Sequence, residues 1–191
     1  MARNEPLKMQ KTDLSSYNNH PYHPGGNAVK RFLWHYVNQF FFNSGLFPVY
    51  GLKVFLLRMF GAKMGRNIAI KPYVNIKYPW NLTIRDNAWI GENVWLDSLV
   101  MITIGPNTCI SQGATLLTGS HNYKKSTFDL ITNPVTLEDG VWIGAGAIVN
   151  QGIVAASHAV LTSGSVATKN MEAYAVYQGN PAAKVRSRTI E

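Results

Sequence analysis

Aliphatic side chains recur at nearly every sixth position between Met64 and Ala167. The register shifts by two residues at 82–84 and again at 102–104, and it is interrupted between Leu116 and Leu137. The position four residues later is often small or β-branched, and glycine often follows the aliphatic residue directly. A period of six fits neither an α-helix nor an isolated strand, so the pattern predicts a repeat architecture.

The six-residue period is typical of a parallel β-helix. Six residues form a short strand and a turn, and two side chains of each repeat point inward. Three repeats close one triangular coil, and each coil covers the apolar edge of the next. We therefore predict a mainly β fold with a β-helix over residues 63–170. The two register shifts are interpreted as bulges or widened corners.

The residues before the repeats have a different pattern. Residues 1–28 are polar and rich in Pro, Gly and Asn, which predicts an extended arm. A helical period then places apolar residues on one face, and a second helix is predicted from about Pro48 to Gly61. The face of the first helix comprises Val29, Phe32, Leu33, Tyr36, Val37, Phe40 and Phe41.

These aromatic faces need a partner, which could be the β-helix, a neighbouring subunit or a membrane surface. Four basic residues would favour a peripheral membrane contact through residues 29–60: Lys30, Arg31, Lys53 and Arg58. The chain is thus divided into an arm with amphipathic helices (1–62), the β-helix (63–170) and a polar, basic C-terminal tail (171–191).

Composition narrows the setting of the protein. The 191 residues contain one cysteine, Cys109, which excludes an internal disulfide framework and fits a reducing compartment. The first residues lack an apolar core, so no signal peptide is expected, and no apolar run is long enough for a membrane span. We expect a cytoplasmic location, including the inner face of the membrane. The net charge of +8 favours a phosphorylated ligand or an anionic surface, whereas no nucleic-acid motif is present.

The interruption after Leu116 is the strongest local pointer to function. About fifteen residues more than one repeat needs must leave the coil as a loop, which we place at 117–136. Long loops on rigid repeat scaffolds often carry function. His121 stands at the start of this loop, and an imidazole can accept a proton from a hydroxyl near neutral pH.

Several segments resemble one enzyme family. TGSHNY at 118–123, VWIGAGAIV at 141–149 and GNPAAKV at 179–185 are similar to the hexapeptide-repeat sugar O-acetyltransferases, which include galactoside, maltose and nodulation-factor enzymes. LKVFLLRMFGAKMG at 52–65 and CISQGATLLTGSHNYKKSTFDLIT at 109–132 most resemble the colanic acid biosynthesis acetyltransferases. The resemblance implies a left-handed β-helix, a homotrimer, acetyl-CoA as acyl donor and a sugar hydroxyl of an exopolysaccharide unit as acceptor.

The resemblance also implies roles for individual residues. His121 matches the catalytic base. Ala145 stands where the sugar acetyltransferases often have a serine, so the oxyanion needs either the backbone N–H here or another donor. The donor substrate would contact the positions that match the coenzyme path and its phosphates: Trp142, Ala145, Ser163, Thr168, Lys169, Lys184 and Arg186.

Three further residues are candidates for acceptor binding. Asp97 could bind a sugar hydroxyl, orient His121 or cap a turn. Asn122 and Tyr123, on the loop, could contact the acceptor. His158 falls at a turn position and is interpreted as structural.

Two other classes of function remain as alternatives. Zinc carbonic anhydrases share the scaffold but need three imidazoles around one metal, and the spacing of the five histidines does not offer them, so no metal is expected. A non-catalytic, sugar-binding β-helix is the second alternative. Within the enzymes, the acceptor could instead be a soluble simple sugar or another small molecule.

Overall fold

The structure, a computed structural model, describes residues 10–191, so the first nine residues of the predicted arm lie outside the described residues. Helices α1 (Ala28–Val37) and α2 (Tyr50–Met59) precede the strands, and α1 continues into a π-helical segment at Asn38–Phe42. Short 3₁₀ turns lie at Leu14–Ser16 and Pro79–Asn81. The strands in chain order are β1 (Lys63–Met64), β2 (Ala69–Ile70), β3 (Asn75–Ile76), β4 (Leu82–Ile84), β5 (Trp89–Ile90), β6 (Trp95–Asp97), β7 (Ile102–Ile104), β8 (Cys109–Ile110), β9 (Thr115–Leu117), β10 (Gly119–His121), β11 (Leu130–Thr132), β12 (Val135–Leu137), β13 (Trp142–Ile143), β14 (Ile148–Val149), β15 (Val154–Ala155), β16 (Val160–Leu161), β17 (Val166–Ala167), β18 (Ala175–Gly179) and β19 (Ala182–Ser187).

The strands stack into three parallel faces, which confirms the predicted parallel β-helix. Face A has the order β1-β4-β7-β12-β15, face B contains β2-β5-β8-β13-β16, and face C has the order β3-β6-β9-β14-β17. The predicted aliphatic positions point inward and lie directly above one another. On face B this buried column is Ile70, Ile90, Ile110, Ile143 and Leu161.

The register shifts of the sequence are widened corners, as predicted. Ile70 pairs with Ile90, and Ile90 with Ile110, so these coils contain 20 residues, whereas Ile143 pairs with Leu161 in a coil of 18. The extra residues lie where face C turns into face A, which we call the C–A corner. The long insertion between β9 and β12 leaves the coil at this same corner.

The corner between faces A and B, which we call the A–B corner, is built from residues in the left-handed backbone conformation. Asn67, Asn87, Asn107, Gly140 and His158 have φ values of +54°, +60°, +53°, +62° and +60°. Asparagine and glycine adopt this conformation most readily. The asparagine side chains also form a ladder of hydrogen bonds, from Asn67 to Asn87 (3.1 Å) and from Asn87 to Asn107 (3.3 Å). His158 continues this column, which agrees with the structural role predicted for it.

The N-terminal helices attach to the β-helix through polar and aromatic side chains. The buried Trp34 indole N–H donates to the carbonyl of Ile76 (2.9 Å), and the Asn38 amide donates to Asn75 Oδ1 (2.8 Å). The buried Lys53 ammonium donates to the carbonyl of Lys71 (2.9 Å). The contacts of Trp34 and Asn38 hold the side of the first helix opposite to most of its predicted apolar face. Lys53 holds α2 instead and, being buried, is not available to a membrane surface.

Most of that predicted face therefore does not pack on the β-helix. Val37 and Phe41 are partly buried against the core, but the remaining members are 51% to 64% exposed: Val29, Phe32, Leu33, Tyr36 and Phe40. Of the predicted partners, the β-helix of the same chain is thereby excluded for these five side chains. No helix in the described part of the chain is long and apolar enough to cross a bilayer.

The segment predicted as a polar, basic C-terminal tail contains two strands. β18 pairs in parallel with β16 and extends face B, and β19 returns antiparallel to β18. Ala175, Val176 and Tyr177 are buried, because β18 covers the aliphatic edge of the last coil.

Candidate active site

The insertion is an ordered β-hairpin rather than an irregular loop. β10 pairs antiparallel with β11, and His121 lies at the end of β10 opposite Leu130. The base of the hairpin is fixed to the coil below it, since the Thr118 hydroxyl donates to the carbonyl of Asp97 (2.6 Å). His121 is therefore held at the C–A corner by a paired strand.

One hydrogen bond determines the tautomer of His121. Its Nδ1 lies 2.8 Å from the carbonyl oxygen of Phe128. Because a carbonyl only accepts hydrogen bonds, Nδ1 must carry the proton, and in the neutral ring Nε2 then has a free lone pair. The Phe128 ring stacks on the imidazole with centroids 4.4 Å apart and an angle of 9°. This arrangement suits a residue that accepts a proton through Nε2.

Phe128 adopts a strained backbone conformation to make this contact. Its φ is +52°, in the left-handed region that costs a residue with a side chain about 1–2 kcal/mol. Such strain is often found at functional sites, where the surrounding structure holds it.

The N-terminal arm also reaches this hairpin. The Asp13 N–H donates to the carbonyl of Ser126 (2.8 Å), and the Tyr17 ring lies 5.7 Å from the His121 ring. The sequence offered no signal for this contact, because the arm has no periodic pattern and lies far from the hairpin along the chain.

Asp97 lies in the widened corner beneath the hairpin. Its side chain is 11% exposed, and the Lys77 ammonium lies 3.5 Å from Oδ1. Oδ1 has no hydrogen-bond donor among the described residues. A buried carboxylate oxygen without a donor is costly, so this atom is suited to accept a hydrogen bond from a ligand hydroxyl. Burial raises the pKa of the neighbouring Tyr22 phenol, and the charge of Asp97 adds to the effect.

The other two predicted acceptor residues lie at the tip of the hairpin. The Asn122 side chain accepts a hydrogen bond from the Lys124 N–H (3.1 Å), so it stabilises the turn. Tyr123 is 77% exposed. Only Tyr123 therefore presents an unobstructed side chain.

The predicted donor-binding residues fall into separate groups. Trp142, Ser163 and Arg186 line one cavity of about 400 Å³ on face B. Arg188, which the sequence reasoning missed, also lines it and donates to the carbonyl of Gly140 (2.9 Å).

A second group lies where face B turns into face C, at the B–C corner. Ala145 and Ser163 are one coil apart there, since the Gly164 N–H donates to the carbonyl of Ala145 (2.8 Å). Neither the Ala145 nor the Ser163 N–H donates to another backbone group within residues 10–191. These two N–H groups are available to oxygen atoms of a ligand.

The three predicted phosphate-binding cations do not meet within one chain. Thr168 and Lys169 follow β17 at the C–A corner, two coils beyond the hairpin, whereas Arg186 lies on face B. The Lys184 ammonium pairs with Glu172 (2.6 Å), which raises the pKa of Lys184. This ion pair is exposed, so it restrains Lys184 only weakly.

No group of three potential metal-ligating side chains lies together within residues 10–191.

No family model matches the chain. The putative colanic acid biosynthesis acetyltransferase WcaF of Escherichia coli K12 is 38% identical over 176 residues, which cover 92% of this chain and 97% of that protein. This chain belongs to the colanic acid biosynthesis acetyltransferase family. The resemblance seen in the motifs is thereby confirmed.

More distant relatives and solved structures are acetyltransferases as well. The galactoside O-acetyltransferase of Escherichia coli K12 is 28% identical over 134 residues, covering 69% of this chain and 66% of that protein. A galactoside acetyltransferase solved in complex with coenzyme A has a TM-score of 0.75 at 25% identity, over 84% of this chain and 82% of that chain. The hexapeptide-repeat acetyltransferase VCA0836 of Vibrio cholerae shares the fold, with a TM-score of 0.76 at 23% identity over 85% and 92% of the two chains.

Proposed function

We propose that this acyltransferase moves an acetyl group from acetyl-CoA to a sugar hydroxyl, with His121 as the general base. The observation that carries the proposal is the hydrogen bond between His121 Nδ1 and the Phe128 carbonyl, which leaves Nε2 free to accept a proton. Membership of an acetyltransferase family and the coenzyme A complex of a related enzyme support the donor.

In this reaction, His121 accepts one proton and later returns it. Nε2 takes the proton of the acceptor hydroxyl as its oxygen attacks the thioester carbonyl, and a tetrahedral oxyanion forms. When the oxyanion collapses, the C–S bond breaks, and the imidazolium returns the proton to the departing thiolate of coenzyme A. Because Ala145 offers no hydroxyl, its backbone N–H is the candidate donor to the oxyanion.

The acceptor is a sugar unit of a surface polysaccharide in this proposal. The name of the Escherichia coli relative supports this class of acceptor. Asp97 would accept a hydrogen bond from a sugar hydroxyl through Oδ1, whose present partner is the Lys77 ammonium at 3.5 Å, and Tyr123 would close over the sugar from the hairpin tip. A soluble simple sugar remains the second candidate, supported by the similarity to the galactoside enzyme.

The placement of the residues supports a homotrimer with sites between neighbouring subunits. His121, Thr168 and Lys169 lie at the C–A corner, whereas Ala145 and Ser163 lie at the B–C corner of the same chain. Cyclic closure uses one heterologous contact three times, so it can bring one corner of each subunit against the other corner of its neighbour.

The acceptor class is tested by measuring release of free coenzyme A thiol from acetyl-CoA in the presence of candidate acceptors. The panel contains lipid-linked sugars, nucleotide sugars and simple galactosides. We expect turnover with at least one sugar, fastest with a polysaccharide precursor. Turnover with a simple galactoside alone would favour the second candidate, and no acceptor-dependent turnover with any sugar would contradict the proposed activity.

A further inference from the structure

Helix α1 presents an apolar face that nothing in the described part of the chain covers. We call this the aromatic face and define it as Val29, Phe32, Leu33, Tyr36 and Phe40, all more than half exposed. The spacing of three to four residues places them on one side of the helix. At the C-terminal end of the face, Tyr36, Phe40 and Phe41 line an apolar hollow of about 450 Å³.

The orientation of this face is fixed by the buried side of the helix. Trp34 and Phe42 are at most 2% exposed and pack in the core, with their rings 5.4 Å apart. Asn38 accepts a hydrogen bond from the Ile76 N–H (3.1 Å) and donates to Asn75. Turning the aromatic face inward would break all of these contacts, so the face must remain outward. A contiguous exposed apolar patch of this kind marks an interaction surface.

The positive charge of the chain is concentrated in its N-terminal part, although Lys53 is buried. Residues 14–85 contain nine lysines and arginines and no aspartate or glutamate. Residues 86–191 contain six basic and eight acidic side chains. The whole positive excess of the protein therefore lies on the N-terminal side, where both helices and the first coils are found.

This distribution discriminates between possible partners of the aromatic face. A second copy docked with its own aromatic face against this one would bring two strongly basic surfaces together, and like charges repel, whereas the trimer proposed above uses the corners of the coils. An anionic lipid surface attracts basic residues by about 1 kcal/mol for each one near the surface. Arg31 lies next to Phe32 at the edge of the face, and Arg58 is exposed on α2, close to the exposed Phe55 and Met59.

We infer that the aromatic face is a docking surface for an anionic phospholipid bilayer. The aromatic side chains enter the boundary between headgroups and acyl chains, and the surrounding cations bind the lipid phosphates. The arm that leads into α1 contacts His121 through Tyr17. If the proposed function is correct, docking holds the active site beside the bilayer, where a lipid-linked sugar would be presented.

The inference is tested by co-sedimentation of the full chain with vesicles. We expect binding to vesicles of phosphatidylglycerol and phosphatidylethanolamine, weakening with salt, and little binding to phosphatidylcholine. Replacing two aromatic anchors together, Phe32→Ser and Phe40→Ser, should reduce the affinity for the anionic vesicles by more than about tenfold. A matched control, Trp89→Ser with Ile190→Ser, removes two exposed apolar side chains away from α1 and should bind like the wild type.

Three results would overturn the inference: no binding to the anionic vesicles, equal binding of the Phe32 and Phe40 variant, or equal, salt-independent binding to phosphatidylcholine. A smaller assembly of that variant in light scattering would show that a second copy covers the face instead. A second variant, Val29→Ser with Tyr36→Ser, repeats the test should the first one fail to fold. Acetyl transfer to a water-soluble sugar should be unchanged in both variants, so failure of the docking is distinguishable from failure of the proposed activity.

Discussion

At the scale of single residues, the chemistry of His121 depends on the backbone of Phe128. The carbonyl of Phe128 fixes the proton on Nδ1, and its ring restricts rotation of the imidazole. The left-handed conformation of Phe128 costs free energy and is held by the paired strands β10 and β11. The hairpin thus orients the imidazole that we propose as the base.

Arg186 offers a test of donor binding at this scale. It lies in the face B cavity with Trp142 and Ser163, whereas His121 of the same chain lies at the C–A corner. Arg186→Glu should raise the KM for acetyl-CoA by about tenfold or more and leave kcat nearly unchanged, because phosphate contacts are the same in the ground state and the transition state. Steady-state kinetics with varied acetyl-CoA measure both constants.

Lys63→Glu is the matched control for Arg186→Glu, since it makes the same change in net charge at an exposed position on β1. Its KM should stay near the wild-type value. Equal increases in KM for the two variants would show that only overall charge matters, and the assignment of Arg186 would be wrong.

The sequence could predict His121 but not its surroundings. The interrupted period and the TGSHNY motif located the histidine. The Phe128 carbonyl and Tyr17 were beyond reach, because a backbone oxygen has no sequence signature and the arm meets the hairpin only through the tertiary fold. The separation of Lys184 from Arg186 follows from an irregularity in the pairing of β18 with β19, which the sequence does not show.

At the scale of elements, the A–B corner illustrates how the repeat is held. Gly140 has a φ of +62°, and a Cβ added there would lie 2.1 Å from His158 Nδ1. Gly140→Ala should therefore lower the free energy of unfolding by about 2 kcal/mol or more, from backbone strain and from the clash. Urea unfolding monitored by circular dichroism measures the change.

Gly51→Ala is the control for Gly140→Ala. Gly51 lies in α2, and a Cβ there meets nothing within 4 Å. This substitution should stabilise the chain slightly, by about 0.5 kcal/mol, because alanine favours the helix. A Gly140→Ala variant as stable as the wild type would contradict the account of the corner.

The secondary-structure elements were predictable from the sequence where one kind of interaction dominates their packing. Inward aliphatic residues stack on their own kind from coil to coil, so the six-residue period revealed the β-helix and both widened corners. The partner of the α1 face could not be predicted, because the spacing of apolar residues shows that one side of a helix is apolar but not which surface covers it. The C-terminal strands were missed, because they have no six-residue period, although the last coil still needed a cover.

At the scale of the whole molecule, the proposed trimer predicts that two inactive variants can repair one another. His121→Ala removes the base at one corner, and Ser163→Trp blocks the donor path at another. If each site uses His121 of one subunit and Ser163 of its neighbour, each mixed trimer retains one intact site, about a third of its sites. Co-expression of differently tagged variants, purification of mixed assemblies and thiol-release assays measure this recovery.

The two variants expressed separately are the controls for this mixing experiment, and each should be inactive. No recovery in mixed assemblies, or a monomer in light scattering of the wild type, would contradict sites shared between subunits. Activity of a monomer would leave the role of His121 intact and remove only the proposed assembly.

In the proposed reaction, His121 accepts the proton of the acceptor hydroxyl. The most direct measurement compares kcat for sugar acetylation between the wild type and His121→Ala, with His158→Asn as control because asparagine suits the left-handed conformation of that corner. We predict that His121→Ala lowers kcat by about 10²–10⁴-fold while the fold and acetyl-CoA binding persist, and that His158→Asn retains wild-type turnover. Near-normal turnover of a folded His121→Ala variant would contradict the account.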